Sequence, residues 1–230
     1  MLDDVRAIYR QSKKPVDDFW TEWVSRPPAA LLVYWLKGTA LTPNQVTILS
    51  LATAAAAAAA FVALPGWLGL VLAGLLYQLS YVLDCADGQL ARMRGETSPL
   101  GADLDFLMDE LKALLVLGAV SVRLWLERGD RRYLLLGVIG LVMLASNLSL
   151  TKFMRGPSFP APPPRDEGRS PKGGPVAVAA WVGKWLIQYP RYLLIVCLLG
   201  RVEIFFFAYL AANALLLLRS LLRMVSVVAR

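Results

Sequence analysis

Eight residues stand at fixed intervals over a 26-residue stretch of the chain: Asp84-x2-Asp87-Gly88-x2-Ala91-Arg92-x8-Gly101-x3-Asp105-x3-Asp109. On helices, positions i, i+3, i+4, i+7 and i+8 share a face, so Asp84, Asp87, Gly88, Ala91 and Arg92 form one stripe. Gly101, Asp105 and Asp109, four apart, form a second stripe. Seven of the 17 acidic residues fall between Asp84 and Glu110. Four carboxylates gathered in one place need cations to neutralise them, and a donor set of oxygens alone suits Mg²⁺ or Mn²⁺, two ions balancing four charges. Gly88 and Gly101 leave room for a ligand to approach the backbone, and the guanidinium of Arg92 suits a phosphate. Together these groups fit a diphosphate site for metal-assisted displacement at phosphorus, in which one carboxylate accepts the proton of an attacking hydroxyl. Asp103 and Glu110 fall off the stripe; Asp103 is expected to complement the positive start of its helix and Glu110 to pair with another helix.

The elements that hold these residues are membrane helices. Of the 230 residues 57% are apolar and 18% charged, with a mean hydropathy of +0.53. That excludes a soluble globular protein. Six stretches have the roughly 20 apolar residues that spanning requires: residues 44–64, 67–92, 100–126, 132–154, 175–199 and 202–226. Along the second of these, Asp84 lies about 26 Å from the outer end, and Asp105 and Asp109 lie about 8 to 15 Å into the third. Both pairs therefore meet in the cytoplasmic third. Ser98-Pro99 is a good helix start between them. The alanine run 54–60 reads equally as close-packing surface or as apolar filler.

With the N-terminus inside, 16 Lys and Arg fall on the cytoplasmic side and five on the other. This asymmetry places both termini in the cytoplasm. Upstream, residues 17–38 set Phe19, Trp20, Trp23, Tyr34 and Trp35 among charges, as expected of an amphipathic helix in the headgroup plane, which Pro27 and Pro28 would break or bend. The fold class expected is thus all-α integral membrane, with an N-terminal interfacial segment over residues 1–38 and a six-span domain over residues 39–230. The first sixteen residues lack the apolar run of a cleavable signal.

Histidine is absent, which excludes catalytic triads and His-ligated zinc. Cys85 and Cys197 cannot build a disulfide framework; Cys85 reads as a small filler between the motif aspartates. The net charge of +7 fits anionic lipid rather than nucleic acid.

The eight-residue motif resembles, in full, the signature of the CDP-alcohol phosphotransferase family, membrane enzymes that make phospholipids from CDP-activated alcohols. A chance match is on the order of one in ten million. The six-span layout, the interfacial helix and the entry Thr42-Pro43-Asn44-Gln45-Val46-Thr47 also look like the family. The resemblance implies that Asp84, Asp87, Asp105 and Asp109 hold two Mg²⁺ ions, with Mn²⁺ as a substitute, and that Asp109 is the base. It implies that Gly88, Ala91, Arg92 and Gly101 receive the CDP group, with Pro43, Asn44 and Thr47 reaching the cytidine. Lys152, Arg155 and Arg191 are candidates for binding an acceptor phosphate; for the first two, loop charge is the competing explanation.

The activity implied is transfer of a phosphatidyl group from CDP-diacylglycerol to a small polar alcohol of the glycerol phosphate, inositol phosphate or serine type, releasing CMP. The reverse polarity, from CDP-choline or CDP-ethanolamine to diacylglycerol, is the alternative within the class. A cation-binding six-helix transporter is the alternative outside it. The resemblance further implies a homodimer, and the chain's size suits the bacterial inner membrane.

Overall fold

The computed structural model describes residues 2–11, 20–154, 156, 159 and 188–228. Among them the chain is helical, without strands: α1 (Leu2–Gln11), a π-helical turn (Thr21–Ser25), α2 (Arg26–Leu36), α3 (Pro43–Ala63), α4 (Gly66–Arg94), α5 (Pro99–Arg128), α6 (Arg132–Met154), α7 (Pro190–Leu198) and α8 (Val202–Val228).

Local chemistry sets the boundaries that matter for the site. Thr42 caps α3 by accepting from the Gln45 amide, and the Gln45 side chain accepts in return from the Thr42 amide at 2.9 Å, with Pro43 at the first helical position. α4 ends at Gly95, whose φ of 68° lets the amides of Gly95 and Glu96 turn back onto the carbonyls of Arg92 and Ala91. Three residues later Ser98 caps α5 through the Gly101 amide at 3.0 Å, followed by Pro99. The two acid-bearing helices are thus joined by a minimal turn.

α3 packs along both α4 and α5. Ala54, Ala57, Ala58 and Ala60 are buried while Ala55, Ala56 and Ala59 are exposed, so one face of the alanine run is the close-packing surface. Its small side chains let a wedge of three helices close at the end remote from the aspartates. A buried cluster then joins α3 to α8, built on Phe61, Leu117, Leu124, Phe205 and Phe206. A second cluster docks α1 and α2 on the acidic end of α4, through Ile8, Ala29, Ala30 and Val33 against Val82, Leu83, Ala86 and Leu90.

Among the described residues four helices, α3, α4, α6 and α8, are long and apolar enough to cross a membrane. The expected third span, α5, is 30 residues long, but its acidic first half together with Arg123, Glu127 and Arg128 keeps it outside that set. Of the expected fifth span, residues 175–187 lie outside the described residues, and the remainder forms the nine-residue α7. Two further features are instructive. Pro27 and Pro28 sit in the first turn of α2, directly after the π-helical turn Thr21–Ser25, so the segment changes its helical geometry where the prolines stand. Arg123, counted with the outer-side charges, is buried, and its guanidinium donates to the carbonyls of Phe61 at 3.1 Å, Leu64, and Gly66 at 2.7 Å. It fastens the α3–α4 turn to α5.

Candidate functional site

α4 and α5 carry their acids to a common place. One carboxylate oxygen each from Asp84, Asp105 and Asp109 lie within 4.8 Å of one another. Asp87, one turn beyond Asp84, is buried, and one of its carboxylate oxygens has no hydrogen-bond partner. Oxygens around a single Mg²⁺ spread over roughly 3 to 4 Å, so the trio needs little movement to take a divalent ion. Leaving a buried carboxylate oxygen unpaired is costly, and a cation is the partner that oxygen-only chemistry supplies. The donor set therefore fits divalent metal.

The aspartates face a cavity of about 440 Å³ whose wall includes Pro43, Asn44 and Thr47 from α3, Asp84, Asp87, Gly88, Ala91 and Arg92 from α4, and Gly101, Asp105 and Asp109 from α5. All eleven residues assigned from sequence to metal or CDP are in this one wall. A Cβ on Gly88 would lie 3.2 Å from an Arg92 guanidinium nitrogen, so the missing side chain lets Arg92 fold back over its own helix. At Gly101 a Cβ would come 3.2 Å from the Ser98 hydroxyl that caps α5 and 3.5 Å from the Asn44 side-chain oxygen. Capping of α3 falls to Thr42 and Gln45, and Asn44 turns to the cavity instead. The loop leading into α3 is pinned by Arg94, which donates to the carbonyls of Leu36, Thr39 and Leu41 at 2.9, 2.9 and 2.7 Å.

A second cavity, of about 320 Å³, lies on the other side of Asp109. Asp109 and Tyr81 belong to both walls. The rest of its lining mixes hydroxyls and amides with apolar groups: Tyr77, Tyr189 and Tyr209, Asn147, Asn213, Thr151, Gln188, Glu110, Lys112, and Leu144, Leu148 and Leu216. Asn147 donates to the Asn213 carbonyl and side chain at 3.0 and 3.2 Å, tying α6 to α8 across its floor.

The sequence reading missed several residues. Lys112 lies outside the eight-residue motif, yet its ammonium contacts Asp84 and lies 3.2 Å from Asp109. Its signal was present: Asp105, Asp109 and Lys112 are spaced i, i+4, i+7 and share a face. Thr21 and Arg26 reach the first cavity from the N-terminal segment, and Thr21 shares a 2.7 Å hydroxyl contact with Tyr81; no local pattern pointed to them. Of the acceptor candidates, Lys152 sits 3.5 Å from Asp103 and 4.6 Å above the Phe106 ring, at the exposed start of α5. Arg155 and the side chain of Arg191 lie outside the described residues. Glu110 faces the second cavity and Cys85 the first.

Comparison with known proteins agrees with this geometry. The family model for CDP-alcohol phosphatidyltransferases matches residues 40–164, just over half of the chain. The chain is 38% identical over 91 residues to a bifunctional IPC transferase and DIPP synthase of Thermococcus kodakarensis, a match covering 37% of this chain and 20% of that protein. A protein of the same name from Rubrobacter xylanophilus is 39% identical over 87 residues, 38% of this chain and 19% of its own length. An archaetidylinositol phosphate synthase of Aeropyrum pernix is 44% identical over 71 residues, 30% of this chain and 34% of that one. The matches thus span only a fifth to a third of these relatives.

Proposed function

Because the chain belongs to the CDP-alcohol phosphatidyltransferase family, we propose that it moves a phosphatidyl group from CDP-diacylglycerol to the hydroxyl of a small polar acceptor and releases CMP. Among glycerol phosphate, inositol phosphate and serine, the relative named archaetidylinositol phosphate synthase favours inositol phosphate. The observation that carries the reading is the position of Asp109, in the wall of both cavities at once. Donor and acceptor can then enter from opposite sides and meet at one carboxylate.

In this reading the first cavity takes the CDP group. Gly88, Ala91 and Gly101 leave space along the helix backbones, Arg92 pairs with the diphosphate, and Pro43, Asn44 and Thr47 meet the cytidine. Asp84, Asp87, Asp105 and Asp109 would hold the divalent ions, which neutralise the diphosphate and the departing CMP oxygen when bound. An acceptor hydroxyl in the second cavity gives its proton to Asp109 as its oxygen forms a bond to the β-phosphorus, and the bond from that phosphorus to the CMP oxygen breaks. Lys152, Arg155 and Arg191 are the cations that would receive an acceptor phosphate; for Lys152 this means exchanging Asp103 for the ligand.

The accompanying topology has six spans and an interfacial N-terminal segment, in a bacterial inner membrane. The 16-to-five distribution of Lys and Arg supports a cytoplasmic active site and termini. A homodimer follows from the family alone.

The test is CMP release by the purified chain in detergent or lipid, with Mg²⁺, CDP-diacylglycerol and acceptors added singly. CMP is expected with inositol phosphate, and Asp109→Asn should lower the rate by about 1,000-fold, within the range that a positioned base supplies. CMP formed only from CDP-choline or CDP-ethanolamine with diacylglycerol would reverse the polarity. No CMP from either set would sink the transferase reading.

A further inference from the structure

The Lys112 side chain is 3% exposed, and its ammonium touches Asp84 across the gap to α4 and Asp109 one turn back on its own helix, at 3.2 Å. Two of the three carboxylates that converge within 4.8 Å therefore already share one cation that belongs to the protein. A lysine buried only to pack its methylene stem would extend its charge toward water. This one instead ends among the residues proposed to bind metal, on the boundary of the second cavity. It is absent from the eight-residue motif.

We propose that Lys112 is the resident counter-cation of the aspartate cluster, holding Asp84 and Asp109 together before metal arrives and setting how tightly the cluster takes divalent ions. The inference rests on the metal reading above. Its fixed positive charge offsets part of the carboxylate charge that would draw a divalent ion in, so the cluster takes such an ion less tightly with Lys112 than without it. A unit charge roughly 5 Å from a divalent ion, at an effective dielectric of about 20, shifts affinity by several powers of ten before relaxation and screening. A change of at least about tenfold should survive them.

The experiment is Mn²⁺ titration of the purified full chain, followed by the electron paramagnetic resonance of free Mn²⁺, for wild type, Lys112→Met, Lys112→Gln and Lys112→Arg. Gel filtration and melting in chelator establish that each variant is folded. Wild type should bind Mn²⁺ without nucleotide. The neutral variants should bind Mn²⁺ at least about tenfold more tightly and melt at lower temperature in chelator, whereas Lys112→Arg stays near wild type. Gln keeps hydrogen bonds to both carboxylates and serves if Met does not fold. Folded neutral variants with wild-type Mn²⁺ affinity, or weaker, would overturn the role of Lys112 and leave the metal reading standing. A wild type that binds no Mn²⁺ would overturn both, while one that binds Mn²⁺ but releases no CMP would count only against the proposed reaction.

Discussion

At the scale of single residues, Asp87 and Asp109 differ by what surrounds them. Asp109 opens to both cavities, where a base must be reachable. Asp87 is buried with one oxygen unpartnered, a group retained at a cost to stability. Asp87→Asn is therefore expected to raise the melting temperature in chelator, by about 1 kcal/mol or more of removed charge burial, while lowering CMP release at least 100-fold. Thermal melts in EDTA beside activity in Mg²⁺ test this, and a variant less stable in EDTA than wild type would show that Asp87 is already compensated. The spacing of the eight motif residues made this chemistry readable before any fold was known. Burial separates the four aspartates, and spacing carries no record of it.

Among the helices, two close contacts fix how α5 is held. A Cβ on Gly137 of α6 would come 2.5 Å from the Ser121 Cβ of α5, so the helices touch where neither has a bulky side chain. Gly137→Val should cost about 1–3 kcal/mol by overpacking, read as a lower melting temperature, with CDP affinity in the surviving folded protein unchanged. Two residues beyond Ser121 along α5, Arg123 adds hydrogen bonds to three carbonyls of the α3–α4 turn and a 2.7 Å ion pair to Glu127. Arg123→Ala leaves those carbonyls without their donor, and a loss of about 2–4 kcal/mol is expected. A melting temperature within a degree of wild type would mean that water or lipid headgroups satisfy them. Helix starts at Pro43 and Pro99 were legible as prolines beside a cap, because those signals act within a few residues. The π-helical turn that precedes the prolines of α2 was not legible, since it depends on how the segment packs and not on residue type.

For the whole molecule, the aspartates sit where α4 and α5 share their turn, and the turn at Gly129 lies at the far end of α5. A cysteine at Gly38, where nothing lies within 4 Å, and one at Asp130, which is exposed, probe opposite ends of the bundle. With Cys85 and Cys197 replaced, an impermeant thiol reagent added outside right-side-out vesicles should label the Asp130→Cys chain alone. Labelling of Gly38→Cys under those conditions would invert the orientation. The four apolar helices and the charged α5 also show what hydropathy selects: α4 stays in the apolar set with Asp84 and Asp87 near its end, whereas α5, with Asp105, Asp109 and Lys112, does not.

What the sequence determined by itself was the helical class, the membrane setting and eleven of the residues that line the first cavity. Each of these depends on composition or on intervals of a few residues, which a helix converts directly into a shared face. What only the tertiary structure decided was the second cavity, the arginine clamps at Arg94 and Arg123, and the lysine between Asp84 and Asp109. Those features join residues from about 20 to more than 100 positions apart in the chain. Their existence depends on how α3 wedges between α4 and α5 and on where α6 to α8 close over them, a packing outcome that no local spacing encodes.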